Sequence, residues 1–207
     1  MGTLQRLLGH ASASARDGLT PWMSDVELSQ VLAAFHAASP RRVLEWGSGG
    51  STAHLLREVA SIERYVSVEH DEAWAERVRR EVTDPRLTVL CQPPDEPPGP
   101  WPEERRAFKD AEKAWHELCE RRREVMATYI DLPAKLSETF DLALVDGRAR
   151  NFCLEVAWEL VREGGVIIIH DAQRELYNDT LHSLGAPRWL VPWSQGQVCI
   201  LPRTART

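Results

Sequence analysis

The sequence predicts a three-layer α/β fold, a doubly wound and mostly parallel sheet of about seven strands with an N-terminal helix and an extended helical insertion before the fourth strand. Three observations predict it. Short runs rich in Val, Ile, Leu and Tyr alternate with longer stretches whose apolar residues recur at helical spacing. The run Val166-Ile167-Ile168-Ile169 is as apolar as a strand buried on both faces of a parallel sheet must be. Glycines, prolines and helix-capping residues fall at the junctions between the two patterns.

With 207 residues, 43% hydrophobic and 27% charged, the chain has the size and composition of one folded domain, so 1–207 reads as a single unit. Residues 1–40 read as a helical cap. Residues 1–23 lack periodicity, but Ser24 and Glu27 form a capping box ahead of Val26, Leu28, Val31, Leu32 and Phe35, and Pro40 ends that helix. Arg42 to Trp46 is a buried strand running into Gly47-Ser48-Gly49-Gly50, and the helix after it carries Ala53, Leu55, Leu56 and Val59. Tyr65 to Glu69 is the second strand, Asp71 caps a helix through Trp74 and Val78, and Arg86 to Cys91 is the third strand.

Residues 92–139 form the insertion. Six prolines between 92 and 102 make a stiff loop. From Glu103 to about Met126, Phe108, Ala111, Trp115, Leu118 and Val125 form a narrow apolar stripe on a long charged helix, either packed on the domain edge or serving as a lid or the arm of a homodimer. Asp141 to Asp146 is the fourth strand, Asn151 to Arg162 a helix and Gly165 to His170 the fifth strand. Arg188 to Val191 and Gln197 to Leu201 close the sheet.

The net charge of −6 opposes attraction to a phosphate backbone, so no nucleic-acid partner is expected. Cys91, Cys119, Cys153 and Cys199 show no metal-knuckle spacing and suit a reducing compartment, with the cytoplasm as the expected location. No apolar run reaches signal-peptide or membrane-span length, so no membrane partner is expected.

Open parallel sheets bind ligands beyond the carboxyl ends of their strands, and the unusual residues fall there. Gly47, Gly49 and Gly50 let a backbone approach a ligand closely and aim N–H groups at it. Glu69 ends the second strand, where such folds place a carboxylate that accepts hydrogen bonds from ribose hydroxyls. A dinucleotide fingerprint would need a glycine where Thr52 stands, so a nucleoside site is favoured over a pyrophosphate seat.

Val43-Leu44-Glu45-Trp46-Gly47-Ser48-Gly49-Gly50-Ser51-Thr52 resembles the first motif of the class I S-adenosylmethionine-dependent methyltransferases, which are Rossmann-like, and Val68-Glu69-His70-Asp71 resembles their second. Leu144-Val145-Asp146-Gly147-Arg148 and Gly164 to Asp171 are similar to their fourth and fifth strands, in the pattern of the small-molecule O-methyltransferases. The resemblance implies S-adenosyl-L-methionine as cofactor. It implies that Glu45 and the turn, with Gly47, Ser48, Gly49, Ser51 and Thr52, hold the methionine portion. Glu69 would then hold the ribose with His70 beside it, and Asp146 would border the cofactor. Asp95 is one candidate for the adenine, whose contact the motifs leave open.

Methyl transfer from a sulfonium needs an aligned acceptor and, for a hydroxyl, a base. His170, between Asp146 and Asp171, is the candidate base or else an anchor for its loop. Arg148, Arg150 and Arg174 are expected to clamp a small anionic or polar substrate, with Tyr177 lining the pocket and Trp189 and Trp193 as further walls. Asp146 and Asp171 could ligate a divalent cation, as in catechol-type relatives, but Ala172 stands where those enzymes carry asparagine, so a metal is the lesser expectation. Displacement of the cofactor's amino-acid side chain and a non-catalytic nucleoside-binding module remain as alternatives, whereas the absence of a GxSxG elbow argues against a serine hydrolase.

Overall fold

A computed structural model describes residues 18–191 and 196–204. Helix α1 (Asp25–Ala38) begins at the predicted capping box: Ser24 accepts the Glu27 N–H, and the Glu27 carboxylate accepts the Ser24 N–H at 2.8 Å. The part of the predicted cap before Gly18 lies outside the described residues.

Strands β1 (Arg42–Trp46), β2 (Arg64–Glu69), β3 (Leu87–Cys91), β4 (Phe140–Val145) and β5 (Val161–Ile169) run parallel, and β7 (Cys199–Pro202) pairs antiparallel with β5. The two-residue β6 (Arg188–Trp189) extends the far edge, and the order is β3-β2-β1-β4-β5-β7-β6. The chain thus winds outward in both directions from β1 and β4. Their carboxyl ends diverge into separate connections, the switch point at which open sheets of this kind bind ligands.

Successive side chains on a strand face opposite ways, and the core divides accordingly. Leu44, Trp46, Val66, Val68, Ala143, Val145, Ile167 and Ile169 pack on the face covered by α4 (Arg105–Arg121), α5 (Ala127–Asp131) and α6 (Arg150–Leu160). Val43, Tyr65, Leu142, Leu144 and Ile168 pack with α1 and α2 (Gly50–Glu58). Helix α3 (Glu72–Glu81) starts at Asp71 as predicted, its carboxylate accepting the Trp74 N–H.

The insertion departs from the sequence reading. The long helix stops at Arg121, because Arg122 is extended and its guanidinium pairs with Glu96 and Glu124. A 3₁₀ turn (Arg123–Met126) and the short α5 follow, so Val125 is buried in the core instead of continuing the stripe. The proline-rich loop is tied to this turn: the Val125 carbonyl accepts the Asp95 and Glu96 N–H groups, and the Asp95 carboxylate accepts the Thr128 N–H at 2.8 Å. Asp95 therefore caps α5, and both of its carboxylate oxygens are taken up by Thr128. Helix α6 also ends earlier than expected, at Leu160. Val161 already pairs with Phe140, and a bulge takes up the residues before Val166.

Candidate nucleoside and acceptor site

The turn after β1 is shaped by close approach. Gly47 has φ +101°, and a Cβ there would lie 2.7 Å from the Gly147 nitrogen after β4, so any side chain would drive the two strand ends apart. Its N–H donates to the Val68 carbonyl at 2.9 Å, and the Asp146 N–H donates to the Trp46 carbonyl at 2.9 Å. Gly50 lies directly beneath the backbone of Thr20 and Pro21, with which a Cβ would collide, so the segment before α1 crosses the turn. Trp74 braces the same turn, its indole Nε1 donating to the Ser48 carbonyl at 2.7 Å.

Glu45 points from β1 toward α2 with no exposed surface and accepts hydrogen bonds from Ser51 Oγ (3.0 Å), Thr52 Oγ1 (2.5 Å) and Ser67 Oγ (2.7 Å). Ser48 Oγ meets Ser67 Oγ at 2.6 Å, and the Gly49 N–H donates to Thr52 Oγ1 at 2.9 Å. Burial pushes the Glu45 carboxyl up to about 7 against the pull of these three hydroxyls. The predicted cofactor side chains Glu45, Ser48, Ser51 and Thr52 thus face inward and hold the turn in shape. What the turn presents outward is backbone.

Glu69 is placed as the sequence suggested, at the end of β2. Its Oε1 accepts the N–H groups of His70 (2.7 Å) and Asp71 (3.0 Å), while Oε2 has no hydrogen bond among the described residues. The His70 ring packs toward Trp115 (6.1 Å between centroids) and Tyr129 (6.0 Å).

At the ends of β4 and β5 the structure assembles a charge network whose centre is Arg150. This arginine is buried, and its guanidinium donates to the carbonyls of Gly147 (2.9 Å), His170 (2.5 Å) and Asp146 (3.0 Å) and to Asp171 Oδ2 (3.1 Å). Every arm of the fork is used, which corrects the expectation that Arg150 clamps a substrate: it straps two strand ends together. Arg174 is half-exposed and pairs with Asp171 Oδ2 at 3.1 Å.

His170 is 5% exposed, with Nδ1 3.0 Å from Asp146 Oδ1 and Nε2 3.3 Å from Glu27 Oε1. Gly196 seals the cluster, since a Cβ there would lie 2.5 Å from Asp171 Oδ1 and 3.1 Å from His170 Nε2. Burial lowers the His170 pKa, but the hydrogen bond and charge of Asp146, with Asp171, outweigh it and raise the pKa above the usual 6.5. With both nitrogens facing carboxylates, His170 ties α1 to the sheet and in this arrangement offers no free nitrogen to an acceptor, which favours the anchor reading over the base. Asp146 keeps Oδ2 without a hydrogen bond among the described residues, at a side chain 15% exposed.

Asp146 and Asp171 do not fit a divalent cation, because the Arg150 guanidinium already bridges them at 3.2 and 3.1 Å. Among the described residues no group of three or more His, Cys, Asp or Glu side chains is spaced to hold a metal ion.

Arg148 stands apart from its neighbours. It is half-buried, its Nε is sealed from solvent without a partner, and burial together with Arg150 lowers its pKa. Tyr177 is fully buried, its hydroxyl likewise unpartnered. Trp189 borders a shallow cleft with Ala172, Gln173, Asn178 and Gln197, and Trp193 lies outside the described residues. Sequence reasoning missed Glu27 as the partner of His170, and it missed His116 and Glu120 on α4. Glu27 was visible only as a cap; a helical His and Glu amid so many charges carry no local signal.

Residues 44–172 match the family model described as a methyltransferase domain. Cofactor-bound Rv0187 from MTB is similar in structure, with a TM-score of 0.60 at 21% identity over 90% of this chain and 84% of that one. An O-methyltransferase from Bacillus cereus in complex with SAH follows at TM-score 0.57 and 17% identity, covering 88% of this chain and 84% of that one. The O-methyltransferase TomG from Streptomyces achromogenes, in complex with SAM, has TM-score 0.54 and 14% identity over 88% and 81% of the two chains. No curated protein matches in sequence. Among the described residues no helix is long and apolar enough to cross a membrane.

Proposed function

The chain belongs to the class I S-adenosylmethionine-dependent methyltransferases, and from that premise we propose that it methylates an oxygen of a small polar molecule at the carboxyl ends of β1 and β4. The observation that carries the placement is Glu69. Two backbone N–H groups hold one carboxylate oxygen, with His70 Nδ1 2.7 Å from it, and the other makes no hydrogen bond among the described residues and so keeps its capacity to accept from a ribose diol. The cofactor, when bound, supplies a methyl group activated on a sulfonium.

The protein's own part is mainly positioning. The backbone of Gly47 to Gly50 and Glu69 fix one reactant, and the loops after β4 and β5 fix the other, so that an in-line displacement becomes effectively unimolecular. Asp146 Oδ2 is the open polar atom at that strand end and is assigned to accept the hydrogen bond of the acceptor hydroxyl. His170 and Arg150 hold the same carboxylate through Oδ1 and so orient it.

Calorimetry with S-adenosylmethionine and S-adenosylhomocysteine tests the site. Glu69→Ala is expected to weaken binding about tenfold or more, the scale of a lost charged hydrogen bond, and unchanged affinity would remove the ribose assignment. Mass spectrometry of turnover mixtures should show S-adenosylhomocysteine. Methylthioadenosine in its place would mean that the side chain, and not the methyl group, is displaced.

A further inference from the structure

Eight buried side-chain polar atoms lack a hydrogen-bond partner among the described residues, and five of them, on Trp115, Tyr129, Arg148, Asn151 and Tyr177, surround the roof that α4 builds over the ends of β2 and β4. Native interiors rarely leave such atoms unmatched, and a concentration in one place calls for partners, whether water or a ligand. Their links run through α4. Asn151 donates to the Glu120 carbonyl, Trp115 packs on His70 and His116, and Glu120 is among the charges near Arg148.

Arg148 is the most informative member. Arg150, two residues later, uses its whole fork on carbonyls and carboxylates, and Arg174 has Asp171. Arg148 makes no side-chain hydrogen bond or ion pair among the described residues. Its near charges include the cationic Arg150, and Glu120 spends an oxygen on the Asn151 N–H. The Arg148 Nε is sealed from water with no hydrogen-bond partner among the described residues, and a carboxylate or phosphate arriving at the fork would supply one by bidentate hydrogen bonding. On the methyltransferase reading the nucleoside's carboxylate is assigned to the glycine turn and its adenosine end carries no negative charge, so the anion is assigned to the acceptor. His116, neutral because burial and Arg148 press its pKa down to about 3, keeps an N–H to offer the same oxyanion.

We propose that Arg148, roofed by the Trp115-His116 segment of α4, is the receptor for an oxyanion, a carboxylate or a phosphate, carried by the methyl acceptor. The site is read from the chain itself; only the statement that the anion belongs to the acceptor rests on the methyltransferase reading.

The full-length protein, with and without S-adenosylhomocysteine, is titrated calorimetrically with sodium benzoate, with sodium phosphate and with benzamide as the uncharged control. At least one anion should bind the wild type more tightly than benzamide does, benzoate marking a carboxylate acceptor and phosphate a phosphorylated one. Arg148→Met should weaken that anion at least tenfold and leave S-adenosylhomocysteine affinity unchanged. Because it removes a sealed Nε that has no partner, the variant should melt at the same or a higher temperature than the wild type. Anions that bind no better than benzamide, or equally well to Arg148→Met, overturn the proposal. So does a lower melting temperature, which would identify Arg148 as a satisfied structural residue. Anion binding that survives while S-adenosylhomocysteine fails to bind sinks the cofactor assignment and leaves the anion site standing.

Discussion

Replacing Glu45 with glutamine isolates the energetics of the carboxyl beneath the glycine turn. Glu45 is fully buried, and burial moves its pKa from 4.5 to about 7 although three hydroxyls donate to it. A folded-state pKa above the unfolded one means that the group stabilises the fold fully below pH 4.5 and loses that contribution as pH rises through about 7. The displacement is worth about 3 kcal/mol, most of it lost between about pH 5 and pH 8. Glutamine keeps the shape and does not titrate. Its carbonyl can accept two of the hydroxyls while the third, from Ser51 or Ser67, turns to accept from the amide. Urea unfolding of both proteins at the two pH values gives the stability difference, wild type minus Glu45→Gln. That difference should fall by about 2 to 3 kcal/mol from the lower to the higher pH. A difference constant to within about 0.5 kcal/mol would show that Glu45 is as easily ionised folded as unfolded, and would refute the buried-carboxyl account of the turn.

Three further outcomes follow from the same geometry. Arg150→Gln breaks a buried pair at Asp146 and Asp171 and strips three carbonyls of their donor, so unfolding free energy should drop by about 3 to 5 kcal/mol in denaturant titration, and a loss under about 1 would deny it the role of strap. Gly47→Ala adds left-handed backbone strain to the collision with Gly147; a destabilisation of about 1 to 3 kcal/mol or more, with loss of S-adenosylhomocysteine binding in calorimetry, is expected, and an alanine variant that binds normally would contradict the close approach. Histidine NMR should find the His170 midpoint above 6.5 and lower in Asp146→Asn, since the Asp146 hydrogen bond and charge outweigh burial; an unmoved midpoint would mean that Asp146 does not face the ring.

The readings that succeeded from sequence were local. Ser24 and Glu27 specify a helix start whatever lies around them, because both bonds of the capping box close within one turn. The same holds for Asp71, and for the strand runs, whose apolar character follows from burial on both faces. The end of α4 was not legible, since Arg122 leaves the helix to reach Glu96, across the proline loop, as well as Glu124. Nor was the short α5, which depends on Asp95 as its cap from far along the chain.

By itself the sequence determined which residue types stand at the carboxyl ends of the strands: a glycine turn, Glu69, Asp146, Arg148, Arg150, His170 and Asp171. Only the tertiary structure decided which of them remain free for chemistry. Glu27, brought from α1 across the fold, takes one nitrogen of His170, Asp146 takes the other, and Arg150 consumes the inner faces of two carboxylates. Arg148, two residues from Arg150, is left over. The physical reason is that a charge's fate depends on which counter-charge the packing brings within a few ångströms, and contacts across such sequence separations have no local pattern to betray them.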